Sequence, residues 1–595
     1  MVRKIGALGF ETFIGGLLVL FFAGFGVTST FVGAIHEAVA LVVQTVDGEH
    51  LRANYAGVTG VEVWTSFRLI AVATALSFLG GLAHAVWNIR IRHRLAQHMN
   101  EFAATLLQTV PEAMYVVLVF VVLVYLLNHG INVPGLFHDG IPRWQDTFAP
   151  AIALAIPGAL YLRSIVYNRL KDELEAQYVS TAVAKGLSWR RIFYVHVLPN
   201  SLPMAFLQIP VVAGFVISSA LFAEYFLGYM GLLSRLTTFV GWDMTLGSFS
   251  LRKANGIPTY QGGAVAVVGL LLLASWLVFA VIGEVLAARF PSEIEPSPTP
   301  TQRKVDKPWL IAGSLLIAVV LFFSAFPRLL TKNSPNAVHE MNTQAWTYPP
   351  FAPSRTYLLG TDSAGRDLLS QTLHGTFTTL SQVVIATVIV VIGSIVVASV
   401  AVLERGWVSQ LLLRFGRTLS TAPVLFIVFL AVYHRNLSSP YQAIQFIAWI
   451  AFFEIGRGAV SFYSALVEWH RFGFIEGAKS VGQRRISIVF RQLRSWLGQF
   501  TLEFTFAEFT RVLSLMTLLA MLHTYAVDKL VALNGMPPAM AERSGQLTWF
   551  STLGDAANDV FSIISHPFTI YAPCLALAIT MIGASFLARG FRGSR

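Results

Sequence analysis

The chain has 595 residues, 55% of them apolar and only 12% charged, with a formal net charge of +11. A soluble protein carries about a quarter of its residues as Asp, Glu, Lys and Arg, so this composition argues for an integral membrane protein. The single cysteine, Cys574, excludes an intrachain disulfide and any cysteine-based metal site.

A hydrocarbon core about 30 Å thick needs about 20 apolar residues per helix. The first such run, 5–27, follows basic residues as in a signal peptide, but no small-residue cleavage site follows, so it reads as a retained span. Further runs lie near 67–88, 105–127, 148–166, 203–227 and 264–288. After a break they resume near 308–326, 379–403, 418–434, 441–464, 503–524 and 568–588. The expectation is an all-α integral membrane fold of about twelve transmembrane helices in two six-helix halves, 1–288 and 309–595. Between them "RFPSEIEPSPTPTQRKVDKP" is too rich in proline for a span or a stable helix, and 289–308 reads as a linker. The longest polar segment, 328–378, is expected outside the membrane.

Cytoplasmic loops of membrane proteins collect Lys and Arg. Here Arg90, Arg92 and Arg94 follow the second span, Lys185, Arg190 and Arg191 the fourth, and Arg484, Arg485, Arg491 and Arg494 the tenth. Arg303, Lys304 and Lys307 join the halves and Arg589, Arg592 and Arg595 close the chain. These all fall on one side if every span crosses, which predicts cytoplasmic termini and makes the basic surplus a topology signal with no nucleic-acid partner.

Two of the basic loops share a pattern. Aligning "QYVSTAVAKGLSWRRIFYVHVLPNSLP" (177–203) with the loop 473–496 at Gly186 and Gly482 places Tyr178 over Phe474, Ala182 over Ala478 and Leu170 over Leu466. Each reads as a short helix ended by a glycine of positive φ. In the first copy Ser188 is expected to N-cap a second helix, and Leu198-Pro199-Asn200 to turn the chain back into the membrane.

This pattern resembles the EAA loop of bacterial ABC-transporter permeases, which reads Glu-Ala-Ala, three residues, Gly, and later Ile-x-Leu-Pro. Residues 178–200 are most similar to the first permease subunit of the oligopeptide/dipeptide/nickel family, and "FAEYFLGYMGL" (222–232) resembles its "VETVFxxPGLG", with Met230 in place of proline. The second half resembles the partner subunit through "LLGTDSAGRDLLSQTLHG" (358–375). There Asp362 is expected to cap a helix, and Arg366 and Asp367 to pair or hold the loop. The second EAA copy keeps Glu476, Ala478 and Gly482 but ends in Arg494-Ser495 without the Leu-Pro exit. The resemblance thus implies two permease subunits fused in one chain, with a type I ABC importer-like fold in the bacterial inner membrane.

The resemblance also implies partners: two ATPase subunits, or one fused ATPase, docked on the loops, and an extracytoplasmic solute-binding protein. The coupling residues it implies are Ala182, Lys185, Gly186, Leu187 and Ser188 in the first loop and Glu476, Ala478, Gly482 and Gln483 in the second. The chain has no G-x-x-x-x-G-K-[ST] phosphate loop, and Gly-Lys does not occur. It is therefore expected to be a transport subunit and not an enzyme, binding no cofactor or metal itself, with ATP and Mg in the partner ATPases. Charged groups inside spans are costly unless paired or facing water, which marks Glu224, Glu503, Glu508 and Arg511 as pathway candidates, with Glu454 and Arg457 beside them. Glu508 reaches Arg511 at i, i+3 on a helix. The substrate stays open between peptides, a nickel chelate and another small solute. A twelve-span secondary carrier is the competing class, but the halves show no matched pair of broken spans with intramembrane ion sites.

Overall fold

The computed structural model describes mainly residues 59–131, 142–234, 262–290, 305–337, 349–403, 442–469, 494–521, 547–557 and 566–593, with a few shorter stretches between. Two compact units are present. One is built on Met1–Trp242, Leu251–Ser297 and Thr421–Ile427; the other on Asp243–Ser250, Pro298–Ser420 and Val428–Arg595.

In the first unit α1 (Gly60–Arg90) starts on a capping box, in which Thr59 accepts from the Glu62 amide and Glu62 accepts from the Thr59 amide. Then follow α2 (Arg94–Gln108), α3 (Glu112–Asn128) and α4 (Phe148–Leu174). The run expected at 105–127 is broken between α2 and α3, because the only uninterrupted apolar stretch is the second piece. The α2 helix turns its polar side inward: Gln97 donates to Tyr167, and Asn100 to Asn88 on α1. α1 lies directly on α4, and Gly81 makes this possible, since a Cβ there would sit 2.6 Å from the Ala159 carbonyl oxygen. Small residues of this kind let membrane helices approach closely where no hydrophobic effect drives them together. Helix α5 (Gln177–Ala184) and a helical run α6, Trp189–Phe206, lead to α7 (Ile209–Phe226), and α8 (Gly262–Ala288) packs on α6 and α7.

The second unit contains α9 (Lys307–Ala325), α10 (Leu368–Leu403), α11 (Gln442–Trp469), α12 (Arg494–Met521), α13 (Trp549–Ala557) and α14 (Tyr571–Arg592). Its main pairings are α9 with α14, α10 with α11, and α12 with α14. Short antiparallel ladders also occur among the described residues, including Lys253–Ala254 with Ile257–Pro258 and Leu530–Ala532 with Ala541–Arg543.

Among the described residues seven helices are long and apolar enough to span a membrane, or eight if the bent pair Trp189–Phe206 and Ile209–Glu224 is one span. The architecture is therefore an all-α membrane fold, and the expected twelve spans are not counted out in full. The run 418–434 lies outside the described residues, and only Thr12–Phe21 of the first run forms a described apolar helix. α12 is about 42 Å long at about 1.5 Å per residue, but carries Glu503, Glu508 and Arg511 in the stretch expected to cross.

Candidate functional site

The loop 177–203 is a helix pair clamped to the bundle by one face. Val179 and Ala182 on α5 and Ile192, Phe193 and Val197 on α6 are buried in one core with Leu162, Val166 and Leu170 of α4. α5 ends as its sequence dictates. Gly186 takes φ +74°, its amide donates to Val183, and the Leu187 amide donates to Ala182 while the Leu187 side chain packs on the core. This is the left-handed closure that glycine adopts at least cost. Tyr178 donates to Glu173 at 2.7 Å, and Glu173 pairs with Arg169, which ties α5 to the end of α4. Arg90 lies over the Tyr194 ring at 5.5 Å and ties α6 to the end of α1. Burial and then the bond to Glu173 push the Tyr178 phenol above its ordinary range.

Three details differ from expectation. Ser188 occupies the N-cap by its extended backbone alone, and its side chain makes no capping bond. Leu198-Pro199-Asn200 is no turn: it lies within the helical run of α6, preceded by a π-helical stretch, Ile192–Val197. A proline lacks the N–H and crowds the carbonyl four residues back, and the wider turn before Pro199 provides that room. The bend comes later, 48° between Phe206 and Ile209, where Pro210 cannot donate to the Phe206 carbonyl. Finally, Ala182 faces the core, so the outward surface is formed by Thr181, Val183, Ala184, Lys185, Gly186, Ser188 and Trp189. Glu476, Ala478, Gly482 and Gln483 lie outside the described residues.

The charged candidates separate into three arrangements. Glu224, buried on α7, accepts from Ser66 Oγ on α1 and from the Ser234 amide at 2.9 Å, while the Leu232 amide donates to Ser66 at 2.7 Å. It acts as an internal clamp on the turn after α7. Nearby Arg68, which sequence reasoning passed over as the first residues of an apolar run, donates to the Pro142 carbonyl and to Tyr229, and lies 5.1 Å from the Trp144 ring centre. Glu503 pairs with Arg592 of α14 at 2.6 Å, at the end of the bundle, apart from the other four second-half charges.

The third arrangement joins α11 to α12. Glu454 Oε2 accepts from Arg457 Nε at 2.8 Å and from Arg511 Nε at 2.9 Å, and Arg457 Nη2 also donates to Glu508. Glu508 thus pairs with Arg457 across the helices, in place of the expected bond to Arg511 along its own helix. The cross-helix bond lets Arg457 bridge two carboxylates that would otherwise repel.

Ahead of α10, residues 358–367 of the 358–375 motif fold as a self-satisfied loop, and the rest opens the helix. Asp362 accepts from the Ala364 and Arg366 amides, from Arg366 Nε and from Gln371. It is Asp367, and not Asp362, that caps α10, accepting from the Leu369 and Ser370 amides while its other oxygen takes Thr331 and Asn333. Burial and the nearby Asp367 carboxylate hold the Tyr357 phenol above its usual range.

Known proteins agree with these features. Residues 77–291 match the family described as binding-protein-dependent transport system inner membrane component. The glutathione transport system permease protein GsiD of Pectobacterium atrosepticum is 24% identical over 40% of this chain and 72% of its own length. The oligopeptide transport system permease protein OppB of Mycobacterium bovis is 27% identical over 36% of this chain and 67% of its own. The dipeptide transport system permease protein DppC of Bacillus subtilis is 23% identical over 49% and 82%. The chain is a multi-pass membrane protein that resembles permeases of the ABC-importer class. Residues 77–291 are thus similar to the binding-protein-dependent inner membrane components, and the relatives that the chain matches are peptide-type permeases.

Proposed function

We propose that this chain combines two permease subunits of a peptide-type importer in one polypeptide, 1–288 and 309–595, joined through the linker 289–308. It forms the membrane path and hydrolyses no ATP itself. The loop α5–α6 and its counterpart around Glu476, Ala478, Gly482 and Gln483 each dock on an ATPase subunit, and a solute-binding protein delivers substrate from the other side. Both termini are cytoplasmic. The fused halves adopt the type I importer arrangement, in which closure of the ATPases around ATP moves the loops and alternates access.

The observation that carries this reading is the two-faced build of the first loop. Its apolar face is locked into the core of α4, while Val183, Trp189, Tyr194 and Val195 stay exposed beside Lys185, Arg190 and Arg191. Exposed large apolar side chains rimmed by charge mark a protein-binding surface. Motion of a docked partner is transmitted through a packed face far better than through a tethered one.

A photo-crosslinking residue placed at Lys185 or Trp189 tests it. With the chain co-expressed beside its ATPases, these positions should crosslink to an ATPase, and one at buried Val179 should not. ATP hydrolysis by the purified chain alone, or crosslinking no stronger than at Val179, would overturn the reading.

A further inference from the structure

The described segments between α9 and α10, 326–337 and 349–367, are laced into one platform. The Thr331 amide donates to the Pro327 carbonyl at 2.9 Å, which closes a turn around Arg328. Thr331 Oγ1 and Asn333 Nδ2 donate to Asp367 Oδ2 at 2.7 and 2.8 Å. Asn333 Nδ2 also reaches the Thr356 carbonyl at 3.0 Å. Lys332 and Arg355 therefore each stand one residue from the same bond, with Arg328 on the turn before them. The lacing consumes the acids: Asp362 and Asp367 are buried, whereas Arg328, Lys332 and Arg355 are exposed. No hydrogen bond or ion pair holds any of these three side chains among the described residues. Every exposed charge on the platform is thus positive.

The platform sits at the end of a helix long and apolar enough to span. Counted from Lys307 at about 1.5 Å per residue, a hydrocarbon core about 30 Å thick ends about 20 residues on, at Pro327 and Arg328. One face of α9 is an exposed apolar stripe, Ile311, Leu315, Val319, Phe322 and Phe326, and exposed Leu329 and Leu330 prolong it. Arg328 and Lys332 thus fall at head-group depth, directly beyond the stripe. Their charge has no topological reason. The basic residues that set orientation gather at one end of the spans, here the other end of α9, where Arg589 lies 4.2 Å from the Trp309 ring centre. Three cations rimming the end of a bare apolar stripe offer what a phospholipid needs: apolar surface for its chains and positive charge for its phosphate.

We propose that Arg328, Lys332 and Arg355 form a site for the head group of an anionic phospholipid, whose acyl chains lie along the α9 stripe. The arginines take phosphate oxygens through their planar forks, and Lys332 adds a point charge. Asp362 and Asp367 hold the platform rigid from below without neutralising its face. A docked protein is the rival occupant of an apolar surface rimmed by charge. The stripe favours lipid, because it runs unbroken from the cations into the depth of the hydrocarbon, where a protein on the platform would not follow. This site is separate from the loop α5–α6 and stands whether or not the importer reading holds.

The test places a photo-crosslinking residue at Leu329 of the full chain, in nanodiscs of phosphatidylcholine with a minor share of phosphatidylglycerol. Mass spectrometry of the adducts should find phosphatidylglycerol over-represented about fivefold or more, the worth of one cation near an anionic surface. The triple change Arg328→Gln, Lys332→Gln, Arg355→Gln should return the adducts to the bulk lipid ratio. Its melting temperature in pure phosphatidylcholine should match that of wild type, since these side chains hold nothing in place. Adducts at the bulk ratio in wild type, or an enrichment that survives the triple change, overturn the proposal. Excess glycerol phosphate should leave the enrichment intact; its loss would make this a site for free phosphate and overturn the lipid assignment. In intact cells, a Leu329 crosslink to another protein in place of lipid would overturn it in favour of a docking surface.

Discussion

Ser66 on α1 and Glu224 on α7 hold each other in the interior of the first unit, the serine hydroxyl donating to Glu224 Oε1. The same Ser66 oxygen accepts from the Leu232 amide, and Glu224 Oε2 accepts from the Ser234 amide. One serine and one glutamate therefore fix the turn that ends α7. The Ser66→Ala substitution removes a donor and an acceptor together and leaves a buried carboxylate short of a bond, which costs about 1–3 kcal/mol. Thermal unfolding of the detergent-solubilised chain should shift down accordingly. Thr74→Ala on the same helix, whose hydroxyl makes no hydrogen bond among the described residues, should barely move it.

Neighbouring glycines on α1 should behave in opposite ways. A Cβ at Gly81 would stand 2.6 Å from the Ala159 oxygen and 2.9 Å from the Leu162 Cβ, whereas one at Gly80 would meet only the Ala159 Cβ at 3.6 Å. Gly81→Ala must push α1 off α4 and should cost about 1–3 kcal/mol, as overpacking does. Gly80→Ala should be neutral or stabilising by up to about 1 kcal/mol, since glycine is a poor helix former. Paired melting curves of the two variants decide it.

Much of this was legible in the amino-acid sequence. The apolar runs at 67–88, 148–166 and 264–288 lie within helices, and the pause at Gly186 has the positive φ that the loop pattern demands. Failures arose where a local signal competed with a tertiary one. Leu-Pro looked like an exit, but a π-helical turn absorbs Pro199 and keeps α6 helical. Glu508 and Arg511 suit an i, i+3 bond, but Glu454 and Arg457 stand opposite on α11 and offer buried partners. Spacing along one helix cannot report what the facing helix carries. Asp362 likewise reads as the cap, but the chain sets Arg366 beside it and puts Asp367 at the start of α10.

The loop before α10 should depend on Asp362 more than on its exposed neighbours. Its carboxylate gathers two amides, the Arg366 guanidinium and Gln371. Asp362→Ala strips all four and should destabilise the loop by about 1.5–3 kcal/mol, the range for hydrogen bonds to a charged group. Limited proteolysis should then cut within 349–367 faster than in wild type, while Ser363→Ala, which leaves these bonds in place, should not change the rate.

Alkali should loosen the α5–α4 junction. The Tyr178 phenol is raised above its ordinary value of about 10, by burial first and by the bond to Glu173 second. A group whose folded pKa is raised contributes stability that is whole below its unfolded pKa and is lost as pH rises through the folded one. Stability should therefore fall from about pH 10 upward, and Tyr178→Phe should flatten that part of the curve. Melting temperatures of both proteins between about pH 8 and 11 give the comparison, and parallel curves would remove Tyr178 as the source.

At Gly186 the cost of a side chain is separable from any clash. An added Cβ would meet nothing within 4 Å, yet φ is +74°. Only backbone strain opposes substitution, about 1–2 kcal/mol for an ordinary residue in the left-handed region. Asparagine visits that region readily, whereas alanine does so reluctantly and valine least of all. Gly186→Asn should thus keep most of the ATP-driven uptake in vesicles reconstituted with the ATPases and binding protein. Gly186→Ala should lose part of it, and Gly186→Val nearly all. Because Leu187 donates back to the Ala182 carbonyl through this turn, unwinding Gly186 also frees the last turn of α5, where Lys185 stands exposed. Crosslinking from Lys185 to the ATPase should fall in the same order. An asparagine variant as inactive as the valine one would show that this surface rejects any side chain at Gly186, making the position part of the docking contact itself.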